Sequence, residues 1–386
     1  MIFSARDNEV KKMSSSNNNE VVSEAKPHTI KKFELIERYV EEWMHKLLNN
    51  SLCEKLIFID CMCNSGEYHD VDGKSVIGTG VRVADSLYNA AFQYPTKDIH
   101  VCLNDIDSRK TEHIKCLLPK DTNNFHTHIK TMDANEYLKK IGPRLMRMRN
   151  VHTLLVYDPY KADIDWEAVM PFFNTWGEVM LNHMVSDSIR AVAVAKKTDT
   201  IKKYEKTYRT EFANLIPFGS NRRAYEEQIE SIMASMRQEK MRDFYIAAFP
   251  FFNRTNSVVY NFIHYTTNSK GFSLFKKVAW QTFGGKSSGK NTHGNENQFT
   301  FDLWSDGPPK TVVDEDCYYV KDIAEYIQSK FEGQEKVPLS KIWALLEEHP
   351  VFPSEGFRTD IKNELKRSHG AVSVGRKELS FKGRSK

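Results

Sequence analysis

Leu154-Leu155-Val156-Tyr157-Asp158-Pro159-Tyr160 is an apolar run that stops abruptly in Asp-Pro-Tyr. Its length and its β-branched and aromatic members read as a buried strand. Pro159 then fixes a turn, so an acid and an aromatic ring arrive together at the rim of a sheet.

Working outward, the chain alternates strands with helices. Before this run come strands at 56–60, 99–105 and 125–131, separated by helical patterns at 78–92, 108–118 and 134–141. After it come a helical stretch at 166–173 and a strand at 178–182. The alternation predicts an α/β fold, a doubly wound parallel sheet with helices on both faces. An amphipathic helix at 26–48 precedes the sheet, with Ile30, Phe33, Leu35, Ile36, Tyr39, Val40, Trp43, Leu47 and Leu48 at steps of three and four. Two strands at 244–250 and 257–265, with a turn at Asn253-Arg254, suit an antiparallel end to the sheet, and a helix follows at 269–280.

The flanks differ. Residues 1–25, with Ser14-Ser15-Ser16-Asn17-Asn18-Asn19, read as a disordered leader. It has no apolar h-region, so a cytoplasmic location is expected rather than secretion. The region 26–305 reads as the main α/β domain, with a basic helical insertion at 196–240 and a Gly-, Ser- and Asn-rich loop at 284–297. Residues 312–386 change character: helices at 318–331, 339–346 and 357–367, then strands at 371–374 and 379–381 around Gly375-Arg376-Lys377, outline a winged helix-turn-helix domain.

In 386 residues the formal net charge is only +4, so bulk charge does not imply nucleic acid and local clustering must. No membrane partner is expected, since no run of about eighteen apolar residues occurs. The cysteines, Cys53, Cys61, Cys63, Cys102, Cys116 and Cys317, form no C-x-x-C pair. Cys61, Cys63 and His69 lack a second cluster to close a tetrahedral site, so no metal is expected and buried reduced thiols are.

The strand ends carry a series of acids. Asp60 ends the first strand with Gly66 in the turn after it, Asp105 ends the second, Asp133 follows the third and Asp158 ends the fourth. In a doubly wound sheet a ligand sits at the carboxyl ends of the strands. Asp60 suits a cofactor with a cationic amine and sulfonium, S-adenosylmethionine, and the absence of G-x-G-x-x-G disfavours a dinucleotide. Asp105 suits ribose hydroxyls, with Asp107 as competitor, and Asp133 suits an adenine amino group. The competing assignment for each acid alone is a solvated turn or a helix cap. Gly78-Thr79-Gly80 reads best as a helix start capped by Thr79.

The rim also suggests the chemistry. An exocyclic amine is a poor nucleophile because its lone pair is delocalised, and an oxygen that accepts its hydrogen localises that pair. Tyr160 offers a face for a base, worth about 1–3 kcal/mol in single-strand binders, and a base in a duplex would have to be flipped out. Asp158, Pro159 and Tyr160 are therefore the candidate catalytic residues. The plain alternative is a strand-ending turn with Tyr160 in the core.

The ordered motifs resemble the three-Cys-motif partner (TcmP) proteins over about residues 27–285. The resemblance rests on His28-Thr29-Ile30-Lys31-Lys32 with Tyr39 and Trp43, Ile59-Asp60-Cys61-Met62-Cys63-Asn64-Ser65-Gly66, Gly78-Thr79-Gly80, Asn104-Asp105-Ile106-Asp107, Asp133-Ala134-Asn135, Asp158-Pro159-Tyr160-Lys161 and Met180-Leu181-Asn182. It implies a Rossmann-like class I methyltransferase fold, with Asp60, Cys61, Gly66, Asp105, Asp133 and Ala134 as cofactor-binding positions. It also implies a winged helix-turn-helix tail and a neighbouring protein with a three-cysteine motif as partner. Asn64 stands where the family has its first turn glycine, and Lys161 where a glycine follows the D-P-[FY].

In the tail, Arg358, Lys362, Lys366, Arg367, Arg376 and Lys377 are the candidate nucleic-acid contacts, a recognition helix and a wing tip for DNA or RNA. Two function classes follow: a methyltransferase acting on an exocyclic amine of nucleic acid, or a non-catalytic nucleic-acid-binding scaffold on a degenerate methyltransferase fold.

Overall fold

A computed structural model describes residues 21–159, 164–173, 176–183, 243–252, 258–283, 319–367 and 372–383, with residues 202, 234, 237 and 238. Most of the expected 196–240 insertion, the turn at Asn253-Arg254, the 284–297 loop, Tyr160, Lys161 and Cys317 lie outside the described residues.

In chain order the elements are β1 (Ser23–Glu24), α1 (Pro27–Leu48), β2 (Lys55–Asp60), β3 (Glu67–His69), β4 (Ser75–Ile77), α2 (Thr79–Gln93), β5 (Asp98–Asp105), α3 (Ser108–Leu117), β6 (Phe125–Thr131), α4 (Ala134–Leu145), β7 (Val151–Tyr157) and α5 (Trp166–Val169). A 3-10 turn (Met170–Phe172), β8 (Gly177–His183), β9 (Tyr245–Phe252), β10 (Val258–Thr266) and α6 (Ser269–Thr282) complete the sheet region. The tail holds α7 (Val320–Phe331), β11 (Val337–Pro338), α8 (Leu339–Glu348), α9 (Arg358–Arg367), β12 (Val372–Val374) and β13 (Glu378–Phe381).

The central sheet has the order β6-β5-β2-β7-β8-β10-β9. β6, β5, β2, β7 and β8 pair in parallel, and β10 runs antiparallel to both β8 and β9. The α/β expectation and the antiparallel end are both met. The chain winds outward from β2 to β6, then returns to β7 on the other side of β2, so the switch point lies between β2 and β7. Both strands are buried along nearly their whole length, as a strand covered on two faces must be.

Side chains alternate between two cores. Leu56, Phe58, Leu154 and Val156 face α1, α2 and α6, while Ile57, Ile59, Leu155 and Tyr157 face α4 and α5. A buried polar cluster ties the first face together: Tyr39 Oη donates to Glu178, and His264 Nε2 lies 2.7 Å from the same carboxylate oxygen. Burial and the Glu178 charge push the Tyr39 hydroxyl well above its ordinary range.

Three details depart from the sequence reading. Ser23–Glu24, expected within the leader, pairs in parallel with β3 of an unanticipated β3–β4 hairpin. The α4 helix runs through Gly142-Pro143 to Leu145, because a proline in the last turn forfeits only one bond. The cap of α2 is Gly78, whose backbone is extended, and Thr79 is its first helical residue; a Cβ on Gly78 would lie 2.6 Å from the Tyr68 ring.

The tail shows the three helices and the hairpin that were expected, with β11 joining them in a sheet of order β11-β13-β12. Its core is continuous with the first face of the main sheet. Trp280 Nε1 donates to Val351 O at 2.9 Å, and its ring meets Phe352 and Phe357 edge-on. Lys276, buried in α6, donates to Leu346 O and His349 O, each at 2.8 Å, closing the C-terminal end of α8. Ala248 N of the edge strand β9 donates to Pro350 O. Trp280→Ala removes both the ring and the bond, and is expected to cost about 3–5 kcal/mol, with hydrogen exchange showing protection lost in α7, α8 and α9.

Candidate functional site

The site is built on the end of β5. The Asn104 carboxamide donates to Cys61 O and to Met132 O, each at 3.0 Å, and the Asn104 backbone carbonyl accepts from Cys63 N at 2.9 Å. Next along, Asp105 accepts from Asn64 N and from Asp107 N, both at 3.0 Å. Asn64 sits at φ +56°, and its side chain accepts from Ser65 N at 2.7 Å. Asparagine tolerates this left-handed backbone and closes it locally, so the turn forms without a glycine at this position. Gly66 follows at φ +76°, where an added Cβ would lie 2.6 Å from Ile114 and 2.8 Å from Val81.

Around this turn the structure brings together Asp60, Asp105 and Asp158. Asp60 is buried and accepts from Met62 N at 3.2 Å. Burial pushes its carboxyl up to about 7, the Met62 bond and Lys32 oppose this, and the Asp158 and Asp105 charges add to it. Asp158 and buried Pro159 end β7 across the switch point. One Asp158 oxygen accepts from Asn182 Nδ2 of β8 at 2.6 Å, and the other is paired with Lys32 of α1. Cys61 and Cys63 are buried free thiols pushed well above the usual thiol range, chiefly by burial.

The other acids stand apart. Asp133 is exposed and caps α4, accepting from Asn135 N and Glu136 N, with Ala134 buried in the first turn. Asp107 caps α3 and is held at about 2 by hydrogen bonds from Arg109 and by its guanidinium charge. Of the two acids after β5, Asp105 is therefore the one turned to the central turn.

Three side chains were missed as site residues. Lys32 and Asn182 stood only as members of quoted motifs, and their convergence on Asp158 comes from α1 and β8 meeting β7. Ile106 is 74% exposed directly after Asp105, an apolar surface fit to lie against a planar ring. A large aliphatic residue after a strand-ending acid was the signal available. Among the described residues no group of three His, Cys, Asp or Glu side chains is arranged to hold a metal ion. No described helix is long and apolar enough to cross a membrane.

No family model matches the chain. No curated protein matches it either. Solved structures similar to it include human methyltransferase-like protein 13 in complex with SAH (9% identity, 71% of this chain and 97% of that one, TM-score 0.30). The methyltransferase domain of bacterial CtHen1 is similar over 60% of this chain and 99% of that one, at 9% identity and TM-score 0.27. A SAM-dependent methyltransferase from Methanosarcina mazei is similar over 58% and 95%, at 13% identity and TM-score 0.24. The strand order, wound outward in both directions from β2 with an antiparallel end, is that of a Rossmann-like α/β fold.

In the tail, Arg358, Lys362 and Lys366 follow one another at four-residue steps along α9. Arg358 is half-exposed, 5.3 Å from the Trp343 ring and 3.5 Å from Glu347, while Arg367 is 3.7 Å from Glu364. Arg376 and Lys377 are exposed at the turn between β12 and β13. The six basic residues thus lie on one helix and one hairpin tip.

The buried Asp60 gives a signed prediction. Its folded-state value near 7 lies above the ordinary 3.8, so the folded protein loses stability as pH rises between those values, by on the order of 4 kcal/mol when complete. Asp60→Asn lacks this loss. Its melting temperature relative to the native chain is expected to rise steadily from pH 5 to pH 8, as read by thermal denaturation. Gly66→Ala is expected to destabilise by about 2–4 kcal/mol through strain and overpacking, measured by urea unfolding.

Proposed function

We propose that the protein is an S-adenosylmethionine-dependent methyltransferase whose acceptor belongs to a nucleic acid. The observation that carries the reading is the grouping of Asp60, Asp105 and Asp158 around a close-packed glycine turn at the switch point. Carboxylates in that number repel a phosphate-bearing dinucleotide and suit a cofactor with an ammonium and a sulfonium. Asp105 and Ile106 would hold the ribose and the ring, Asp60, Cys61 and Gly66 the amino-acid end, and Asp133 and Ala134 the adenine edge. Bound there, S-adenosylmethionine would supply an electrophilic methyl group for transfer to the acceptor, with the sulfide as leaving group.

Asp158, Pro159 and Tyr160 would form the acceptor side. The base amine expected from that motif is the first acceptor to try. What supports the nucleic-acid half of the reading is the row of Arg358, Lys362 and Lys366 on α9 and the exposed Arg376-Lys377 turn; the tail would be a winged helix-turn-helix, with α9 as recognition helix and that turn as wing tip. Membership of the TcmP family, with a neighbouring three-cysteine protein as partner, belongs to the same proposal. A non-catalytic nucleic-acid-binding scaffold is the second reading, favoured by one observation: both Asp158 oxygens are engaged by the protein's own donors.

Calorimetry tests the cofactor. S-adenosylmethionine is expected to bind the native chain, and Asp105→Ala to weaken binding at least about tenfold, a hydrogen-bond loss of about 1.4 kcal/mol or more. No heat from either protein would refute the proposal. Binding of DNA and RNA at several salt concentrations tests the tail: Lys366→Ala and Arg376→Ala are each expected to lower the salt slope by about one.

A further inference from the structure

We propose that Lys32 is the positioning residue of the acceptor site, keeping the Asp158 carboxylate charged and aimed so that it takes the proton methylation displaces. This rests on the methyltransferase reading above and adds to it a residue in a second role, behind the one that meets the acceptor.

The geometry separates the two side chains. Lys32 has only 8% of its side chain exposed, whereas Asp158 has 32%. The lysine stands behind, and the carboxylate looks out. A lysine is seldom buried without a partner, and Asp158 is the partner here. Asn182 fixes the other oxygen from the neighbouring strand, so the carboxylate plane is set from two sides.

The lysine is delivered by a pinned main chain. Before α1, Ser23–Glu24 pairs with β3 and Ala25 N donates to His69 O at 2.7 Å. Within the first turn, the His28 carbonyl accepts from Tyr260 Oη of β10 at 3.1 Å. The Tyr260 ring lies 5.6 Å from Lys32 Nζ. This strap crosses the carboxyl end of the sheet from the β3–β4 hairpin to β10.

Charge gives the strap its purpose. Facing Asp158 are Asp60 from β2, with Asp105 of β5 beyond it, the Cys61 thiol, and Tyr260 from β10. From α1 come Lys32 and His28, and burial, with Lys26 and Lys32 adding to it, drops His28 to about 4, so it is neutral at neutral pH. Lys32 is thus the cation buried against this carboxylate. Without it, the Asp158 carboxylate would face Asp60 and Asp105 with no cation set against it, and only an ionised carboxylate can accept a proton. With it, an amine or hydroxyl that gains a methyl group passes its displaced proton to an Asp158 oxygen, and the exposed edge of that carboxylate passes the proton to water.

The test uses the full chain labelled with carboxyl-13C aspartate, Asp158→Asn assigning the resonance. The Asp158 resonance in Lys32→Met and Lys32→Gln is expected to titrate about one pH unit or more above the native chain, and Lys32→Arg to bring it back. Methyl transfer from labelled S-adenosylmethionine to total RNA and to genomic DNA is followed in parallel from pH 6 to 9. In both neutral variants the acid limb of the pH profile is expected to move up by the same interval as the Asp158 titration, with cofactor affinity within about twofold of native, a factor worth less than about 0.5 kcal/mol. An unmoved titration and an unmoved pH profile, with only the melting temperature lowered, would make the lysine structural and overturn the proposal. If the native chain transfers no methyl group to either nucleic acid, the methyltransferase reading loses its acceptor, while the titration still decides what Lys32 does.

Discussion

The rest of the site depends on Asn104. Its carboxamide and its backbone carbonyl hold the loop after β2 and the end of β6 to the end of β5. That fixes Cys63, hence Asn64 and Gly66 at their positive φ, and it puts Asp105 where Asn64 N reaches it. Three strand ends are joined by one buried side chain. The arrangement is costly: among the described residues Asn104 Oδ1 is buried without a hydrogen-bond partner, a debt on the order of 1–3 kcal/mol. A site that leaves a buried acceptor unmatched must be held by the packing around it, which here is the two-faced sheet.

Electrostatics point the same way. Three carboxylates share a crevice with Lys32, and the most deeply buried of them, Asp60, keeps its proton to about neutral pH. A fold selected for stability alone would place neutral or apolar groups there. Grouped carboxylates that cost stability would be relieved by a bound cation, so under the proposed function the destabilising feature and the binding feature would be one. The turn itself carries little charge; its contribution is backbone shape.

Most of this was legible in the sequence for definite reasons. The strands at 56–60, 99–105, 125–131 and 151–158 announced themselves because buried parallel strands are short apolar runs, and the acids that end three of them, Asp60, Asp105 and Asp158, are the ones the structure brings together. Asn64 was legible too, as a residue that accepts positive φ. Helix-capping by Asp107 and Asp133 was foreseen only as an alternative, because an Asp before a helix and an Asp beside a ligand look identical in one dimension. The β3–β4 hairpin and β1 were not legible: strands of two or three residues with mixed polarity carry too little pattern. The convergence of Lys32 and Asn182 on Asp158 was not legible either, since it joins residues 126 and 24 positions away from it in the chain. Tyr160 and Lys161 lie outside the described residues.

The attachment of the tail follows from the same helix that supplies Lys32. α1 is 22 residues long, about 33 Å at the usual rise per residue. Its first turns carry Lys32 to Asp158, while further along Glu42 pairs with Lys277 of α6, and Lys46 lies 3.8 Å from Glu355 just before α9. Gly356, at φ +79°, lets the chain pass close to the Lys277 side chain before α9 begins. Trp280, Lys276 and the Ala248–Pro350 bond then fix α8 and the loop after it to α6 and β9, which also covers the edge of the sheet. A tail tethered by a linker would sample many orientations relative to the crevice. One seated on a shared core does not, so α1 holds the carboxylate site and the basic face of α9 in a single mechanical frame.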